Sequence, residues 1–182
     1  RLQKGVCWAV FCEINSIGDV YHDLKFDDIE FKDEIKQILK KYITSCQGIV
    51  IFHGVIGKGK TYTALCMLQL FTTENSSAIF IKQKRLFDEW LEFTRNGNFC
   101  LFRKKIEGVC FLVIDDVGTK DLTPSFLEFL LDIIDFRMQW KRKLTVITTN
   151  VLNENFSETF GDRLADRLST AFCLKFSGES RR

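Results

Sequence analysis

A single proline in 182 residues excludes a chain built on proline-rich linkers. No apolar run approaches the ~18 residues that a membrane-spanning helix needs, and no signal peptide is visible. A dominant charge is missing too. The 26 Lys and Arg stand against 24 Asp and Glu, a net charge of +2, so nucleic-acid binding would have to come from local patches. The seven cysteines (Cys7, Cys12, Cys46, Cys66, Cys100, Cys110 and Cys173) are odd in number and scattered, and no second pair completes a zinc site beside Cys7 and Cys12. Cys66 and Cys110 fall inside apolar patterns. Free thiols in a reducing cytoplasm account for this better than a disulfide framework. The chain opens on Arg1 rather than methionine, which implies that a segment N-terminal to it has been removed.

What is present is a 46% hydrophobic chain with 18 phenylalanines, enough for one domain with a substantial core. From residue 33 onward, strand-like runs alternate with helix-like stretches. Asp33 to Ser45 reads as a helix, Ile49 to His53 as a first strand, and Ala78 to Ile81 as a second. A helix over 84–95 leads towards a third strand at Cys110 to Ile114. Thr123 as N-cap and Pro124 at the first helical position open a helix running to about Trp140. Leu144 to Thr149 and Ala171 to Phe176 read as the fourth and fifth strands. This order predicts an α/β fold, a five-stranded parallel sheet flanked by helices, over residues 33–182. Residues 1–32 carry no clear pattern and read as a lead-in, the remnant of the removed region.

Gly54-Val55-Ile56-Gly57-Lys58-Gly59-Lys60-Thr61 is a complete G-x4-G-K-T phosphate loop, placed between the first strand and the run beginning Tyr62. Its glycines let consecutive N–H groups face one point, Lys60 reaches the outer phosphates, and the Thr61 hydroxyl ligates Mg²⁺. The expected nucleotide contacts are Gly54, Gly57, Lys58, Gly59, Lys60, Thr61 and Tyr62. Downstream, Phe111-Leu112-Val113-Ile114-Asp115-Asp116 has the form of a Walker B strand, with Asp115 holding the metal ion and Asp116 polarising the attacking water. Thr145 to Asn150 is another apolar strand with a polar end, where Asn150 is either a turn residue or a holder of that water. Arg163 and Arg167 lie four apart, on one helix face. They are either solvated partners of Asp162 and Asp166 or an arginine finger offered to a neighbouring subunit.

Together these motifs resemble the AAA+ ATPase domain of the DnaC/IstB helicase-loader family, over about residues 47–182. Asp115-Asp116-Val117-Gly118-Thr119, Ile147-Thr148-Thr149-Asn150, Arg163-Leu164-Ala165-Asp166-Arg167-Leu168 and the tail Gly178-Glu179-Ser180-Arg181-Arg182 carry the likeness. The resemblance implies a P-loop NTPase of the additional-strand class with ATP and Mg²⁺ as cofactors. It makes Asp115 the metal residue, Asp116 the catalytic acid, Asn150 the sensor, and Arg167, with Arg163 second, the finger. It also implies self-association through finger and phosphate loop, single-stranded DNA, and a replicative helicase of the DnaB type as partner. A transposition helper of the IstB type, with a transposase as partner, and a nucleotide-dependent binding module without turnover are the alternatives.

Two departures stand out. Asp116 occupies a position where many AAA+ proteins carry Glu, which implies slow turnover or stimulation by DNA or a partner. Six residues follow the fifth strand, so no C-terminal helical lid is recognisable, and Arg181 or Arg182 is the candidate for a lid arginine. Lys82, Lys84 and Arg85 follow the second strand, and Arg103, Lys104 and Lys105 precede the third. Each cluster is a solvated surface or, in an assembly, a loop that contacts single-stranded DNA. Lys141-Arg142-Lys143, before the fourth strand, reads first as a solvated cluster and only second as a DNA contact.

Overall fold

The computed structural model describes residues 8–72, 77–119 and 122–178. Arg181 and Arg182, the candidates for a lid arginine, lie outside them, as does Cys7. The elements are α1 (Trp8–Ile14), α2 (Asp33–Ser45), β1 (Gly48–Gly54), α3 (Lys60–Thr72), β2 (Ala78–Lys82), α4 (Gln83–Arg95) and α5 (Phe99–Gly108). There follow β3 (Phe111–Val117), α6 (Pro124–Gln139), β4 (Leu144–Thr149), α7 (Phe156–Phe160), α8 (Asp162–Ser169) and β5 (Phe172–Phe176). The sheet is parallel throughout, in the order β2-β3-β4-β1-β5. β4 is therefore inserted between the strand of the phosphate loop and the strand of the paired aspartates, as the additional-strand class requires. Among the described residues no helix follows β5.

Alternation along the strands divides the core in two. Val50 and Phe52 of β1 join α2 and α3 in one buried cluster, while Ile49 and Ile51 join α4, α5, α6 and α8 in the other. Burial on both faces explains why the strands read as unbroken apolar runs. The second cluster is strongly aromatic, with Phe87, Trp90, Phe102, Phe126 and Phe129 in successive ring contacts. The Thr123 hydroxyl accepts from Phe126 N at 3.3 Å, so the expected cap of α6 is formed.

Two stretches differ from expectation. Residues 8–32, expected as a lead-in, place Phe11, Cys12, Ile17, Leu24, Phe26 and Ile29 in the same cluster as β1 and α3. Residues 99–108, expected as a basic approach to β3, form α5, because Phe102 and Ile106 recur at helical spacing and are fully buried. At the N-terminal end of the sheet Arg137 of α6 is only 2% exposed. It donates to Thr145 Oγ1 at 2.8 Å and to the carbonyls of Ile106, Glu107, Val109, Cys110 and Leu144 at 2.7–3.4 Å. One guanidinium thereby joins the end of α5 to the starts of β3 and β4.

Candidate nucleotide site

The site lies at the C-terminal ends of the strands, where the backbone of a parallel sheet leaves its last groups unpaired. β1 ends on Gly54 at φ 117°, where a Cβ would lie 2.4 Å from Phe176 O. Only glycine lets the chain turn there so close to β5. The loop then runs into α3, with Thr63 N donating to Gly59 O at 2.9 Å as the helix begins. Lys60 is 5% exposed, and its Nζ donates to Gly54 O and Val55 O at 2.8 Å each. Burial pushes its pKa down, against the pull of Asp116 and Asp115.

The next layer joins α3 to β3 and β4. Thr61 Oγ1 donates to Asp115 Oδ1 at 2.8 Å, and Thr148 Oγ1 of β4 donates to the same oxygen at 2.6 Å. Asp115 is 1% exposed. Burial raises its pKa, and the two hydroxyl bonds oppose that rise. Asp116 N in turn donates to Thr148 Oγ1 at 2.9 Å. In a regular strand, consecutive side chains face opposite ways. Here the register slips between Ile114 and Val117, Asp116 takes φ 60°, and both aspartates line one cavity.

The following turn is fixed from two sides. Gly118 N donates to Gln83 Oε1 at 2.8 Å, and Thr149 Oγ1 donates to Val117 O at 2.6 Å. A Cβ on Gly118 would lie 2.7 Å from Val151 Cγ2, so β3 and β4 close too tightly there for any side chain. Asn150 follows, half-buried on the cavity wall.

That cavity measures about 690 Å³ and brings together Gly57, Lys58, Gly59, Lys60, Thr61, Tyr62, Asp115, Asp116 and Asn150. Ser16, Gly18, Tyr21, Asp28 and Glu30 add part of its wall from the N-terminal segment. These N-terminal residues carry no motif, so nothing in the sequence marked them. A second cavity of about 220 Å³ shares Glu30, Lys58, Gly59 and Tyr62 with the first and has apolar walls from Ile29, Phe31 and Phe176.

The remaining candidates lie apart. Arg167 and Arg163 sit on α8 and line neither cavity. Arg167 is held by Asp135 of α6 at 2.6 Å and by Asp166 at 2.9 Å, whereas Arg163 is exposed and makes no ion pair among the described residues. Lys82, expected on a DNA-facing loop, ends β2 and lines the nucleotide cavity. Lys84 and Arg85 are in α4, paired with Asp88 and Glu89, and Arg103, Lys104 and Lys105 are in α5 rather than in a loop. Arg103 pairs with Glu107 and Asp132, Lys105 with Glu89, and Lys104 with no carboxylate among the described residues.

His53, which precedes Gly54, also escaped the sequence reading. It is 5% exposed, meets the Phe156 ring edge-on at 6.1 Å, and its Nδ1 has no hydrogen-bond partner among the described residues. Burial and the nearby Lys175 push its pKa down.

Comparison with known proteins agrees with this geometry. A putative insertion sequence ATP-binding protein, y4uH, of Sinorhizobium fredii is 27% identical over 135 residues, 71% of this chain and 54% of its own length. The chain spans little more than half the length of the curated relatives it matches. Among solved structures, the DnaC helicase loader superposes with a TM-score of 0.75 at 20% identity, covering 88% of this chain and 100% of that one. The replication initiator DnaA bound to AMPPCP and single-stranded DNA gives 0.77 at 14% identity, covering 89% and 51%. The fold is that of the P-loop AAA+ ATPases. Residues 20–181 match the family model described as IstB-like ATP binding protein, and the chain belongs to that family.

Proposed function

We propose that this ATP-binding domain hydrolyses its nucleotide and uses the cycle to assemble on DNA as the helper of a transposase. The observation that carries the ATPase reading is the convergence of Lys60, Thr61, Asp115, Asp116 and Asn150 on one cavity. The triphosphate lies along the loop, and Lys60 exchanges its two carbonyl bonds for phosphate oxygens. The purine occupies the smaller, apolar-walled cavity. Thr61 and Asp115 already point oxygen atoms at each other and fit a hard divalent cation. When bound there, Mg²⁺ neutralises charge on the transferring phosphoryl group. Asp116 accepts the proton of the attacking water, and Asn150 orients that water.

Arg163 or Arg167 of a neighbouring subunit supplies the last positive charge. Arg167 must leave Asp135 to do so, whereas Arg163 has no ion pair among the described residues. A mixture of Arg167→Ala and Lys60→Ala proteins regains activity if Arg167 acts across the interface, because some interfaces then pair an intact loop with an intact finger.

The names of the curated relatives support a transposase as partner. A second reading, a loader for a helicase of the DnaB type, is supported by the superposition covering the whole DnaC chain. ATP turnover measured with Mg²⁺ and single-stranded DNA, adding each candidate partner in turn, separates the two. Stimulation by the transposase supports the first reading, and stimulation by the helicase the second. Absence of turnover under every condition rejects both in favour of a binding switch.

A further inference from the structure

The basic clusters expected to meet DNA are largely neutralised by carboxylates of their own helices or of neighbouring ones. The cluster at the other end of the molecule is not. Lys141 and Arg142 are exposed and make no ion pair among the described residues, while the two acidic residues in the last two turns of α6, Asp132 and Asp135, are taken by Arg103 and Arg167. Beside them Trp140 is 57% exposed and stacks on Phe136, with ring centroids 5.7 Å apart and planes 28° apart. Neither ring belongs to the two buried clusters. Trp140 is thus an exposed indole backed by the half-buried Phe136, next to two exposed cations and outside both buried clusters.

The segment is also rigidly mounted. Arg137 fixes one end through its six acceptors, and Lys143 Nζ fixes the other by donating to the carbonyls of Gly108 and Val109. Between these anchors Arg142 is held at φ 59°, a backbone conformation that costs a non-glycine residue energy and persists only when its surroundings impose it.

We propose that Trp140, supported by Phe136, is a stacking platform for a base of single-stranded DNA, with Lys141 and Arg142 contacting the flanking phosphates. An indole face accepts any base, and two cations at the turn complement a polyanion without reading its sequence. This inference rests on the reading that the domain binds DNA, and it places a contact at the end of the sheet opposite the nucleotide.

Tryptophan fluorescence tests it directly. Trp8 is tied to Tyr21 O and Trp90 is packed among phenylalanines, so Trp140 is the most accessible of the three. Titration with oligo(dT) should quench the wild-type emission, and Trp140→Phe should remove most of that quenching. Trp140→Ala should weaken oligo(dT) binding by at least ~5-fold, the low end for one lost base–aromatic stack. The Lys141→Gln/Arg142→Gln double variant should lower the salt slope by ~1.4, at about 0.7 for each phosphate contact. ATP binding should be unchanged in all three, as a check on folding. Wild-type oligo(dT) affinity and salt slope in these variants overturn the platform while leaving DNA binding elsewhere intact. Failure of the wild type to bind any DNA overturns the DNA reading and the platform with it. A duplex bound as tightly as oligo(dT) rejects stacking, and a shift in oligomeric state without a change in DNA affinity assigns the patch to contacts between copies.

Discussion

Two cations are buried at opposite ends of the same sheet, and their surroundings differ in a way that separates structure from function. Arg137 is 2% exposed and Lys60 is 5% exposed, and burial pushes the pKa of both down, that of Arg137 to about 10. Neither forms an ion pair among the described residues. Arg137 directs every N–H at an acceptor, six acceptors in all, and nothing remains for a ligand. Lys60 has two carbonyl bonds and two buried or half-buried carboxylates nearby, on the edge of a large cavity. A fully used charge holds elements together. A partly used one is free to take up the phosphate that the proposed function gives it.

The sharpest way to break this comparison is to remove the saturated cation. Arg137→Met should lose about 4 kcal/mol of stability in urea denaturation, because Thr145 Oγ1, Leu144 O and the carbonyls between Ile106 and Cys110 lose the buried charged donor that ties them together. At the other end, effects should fall on chemistry. Asp116→Asn keeps the shape and removes the charge that accepts a proton. ATP should still bind, while single-turnover hydrolysis drops by about 10²-fold. Equal hydrolysis in wild type and variant would take Asp116 out of the mechanism.

A smaller effect should come from Thr148, whose hydroxyl bridges both aspartates. Thr148→Val removes it in an isosteric side chain and should slow turnover by about 10-fold, the equivalent of one hydrogen bond to a charged group. Thr148→Ser should restore the rate. Rate loss in both variants would mean that the methyl group, not the bridge, matters.

The legible part of the site was the part carried by local motif. The phosphate loop, the paired aspartates and the strand ending in Asn150 each follow from a run of consecutive residues, so spacing alone placed them. What the motifs could not convey was tertiary. The bulge that turns Asp115 and Asp116 to one side depends on pairing with β4, a strand some 30 residues away. Thr148 looked like one threonine among several in a β-branched strand. Residues 16–30 add to the cavity wall by packing, with no periodicity to announce it. The helix α5 was readable from Phe99, Phe102 and Ile106, and the Arg-Lys-Lys run concealed it. Arg137 was invisible because its partners are backbone carbonyls, which every sequence has.

The smallest expected effect concerns His53. Its pKa is below the ordinary 6.5, so under that value the unfolded chain takes up a proton that the folded chain refuses. The contribution is complete above about pH 6.5 and is lost as pH falls through the window beneath it, at no more than ~1.4 kcal/mol per pH unit. His53→Phe should flatten that part of a stability profile between pH 7.5 and 5.5. An unchanged slope would place the proton uptake elsewhere.

The partly used charge is tested most directly by calorimetric titration of Lys60→Ala with Mg-ATP, run beside urea denaturation of the same protein. If Lys60 is held for phosphate, heat of binding disappears while stability changes by less than about 1 kcal/mol, the scale of a single exchanged hydrogen bond. ATP bound with wild-type affinity by the folded variant, or unfolding as severe as in Arg137→Met, would contradict the assignment.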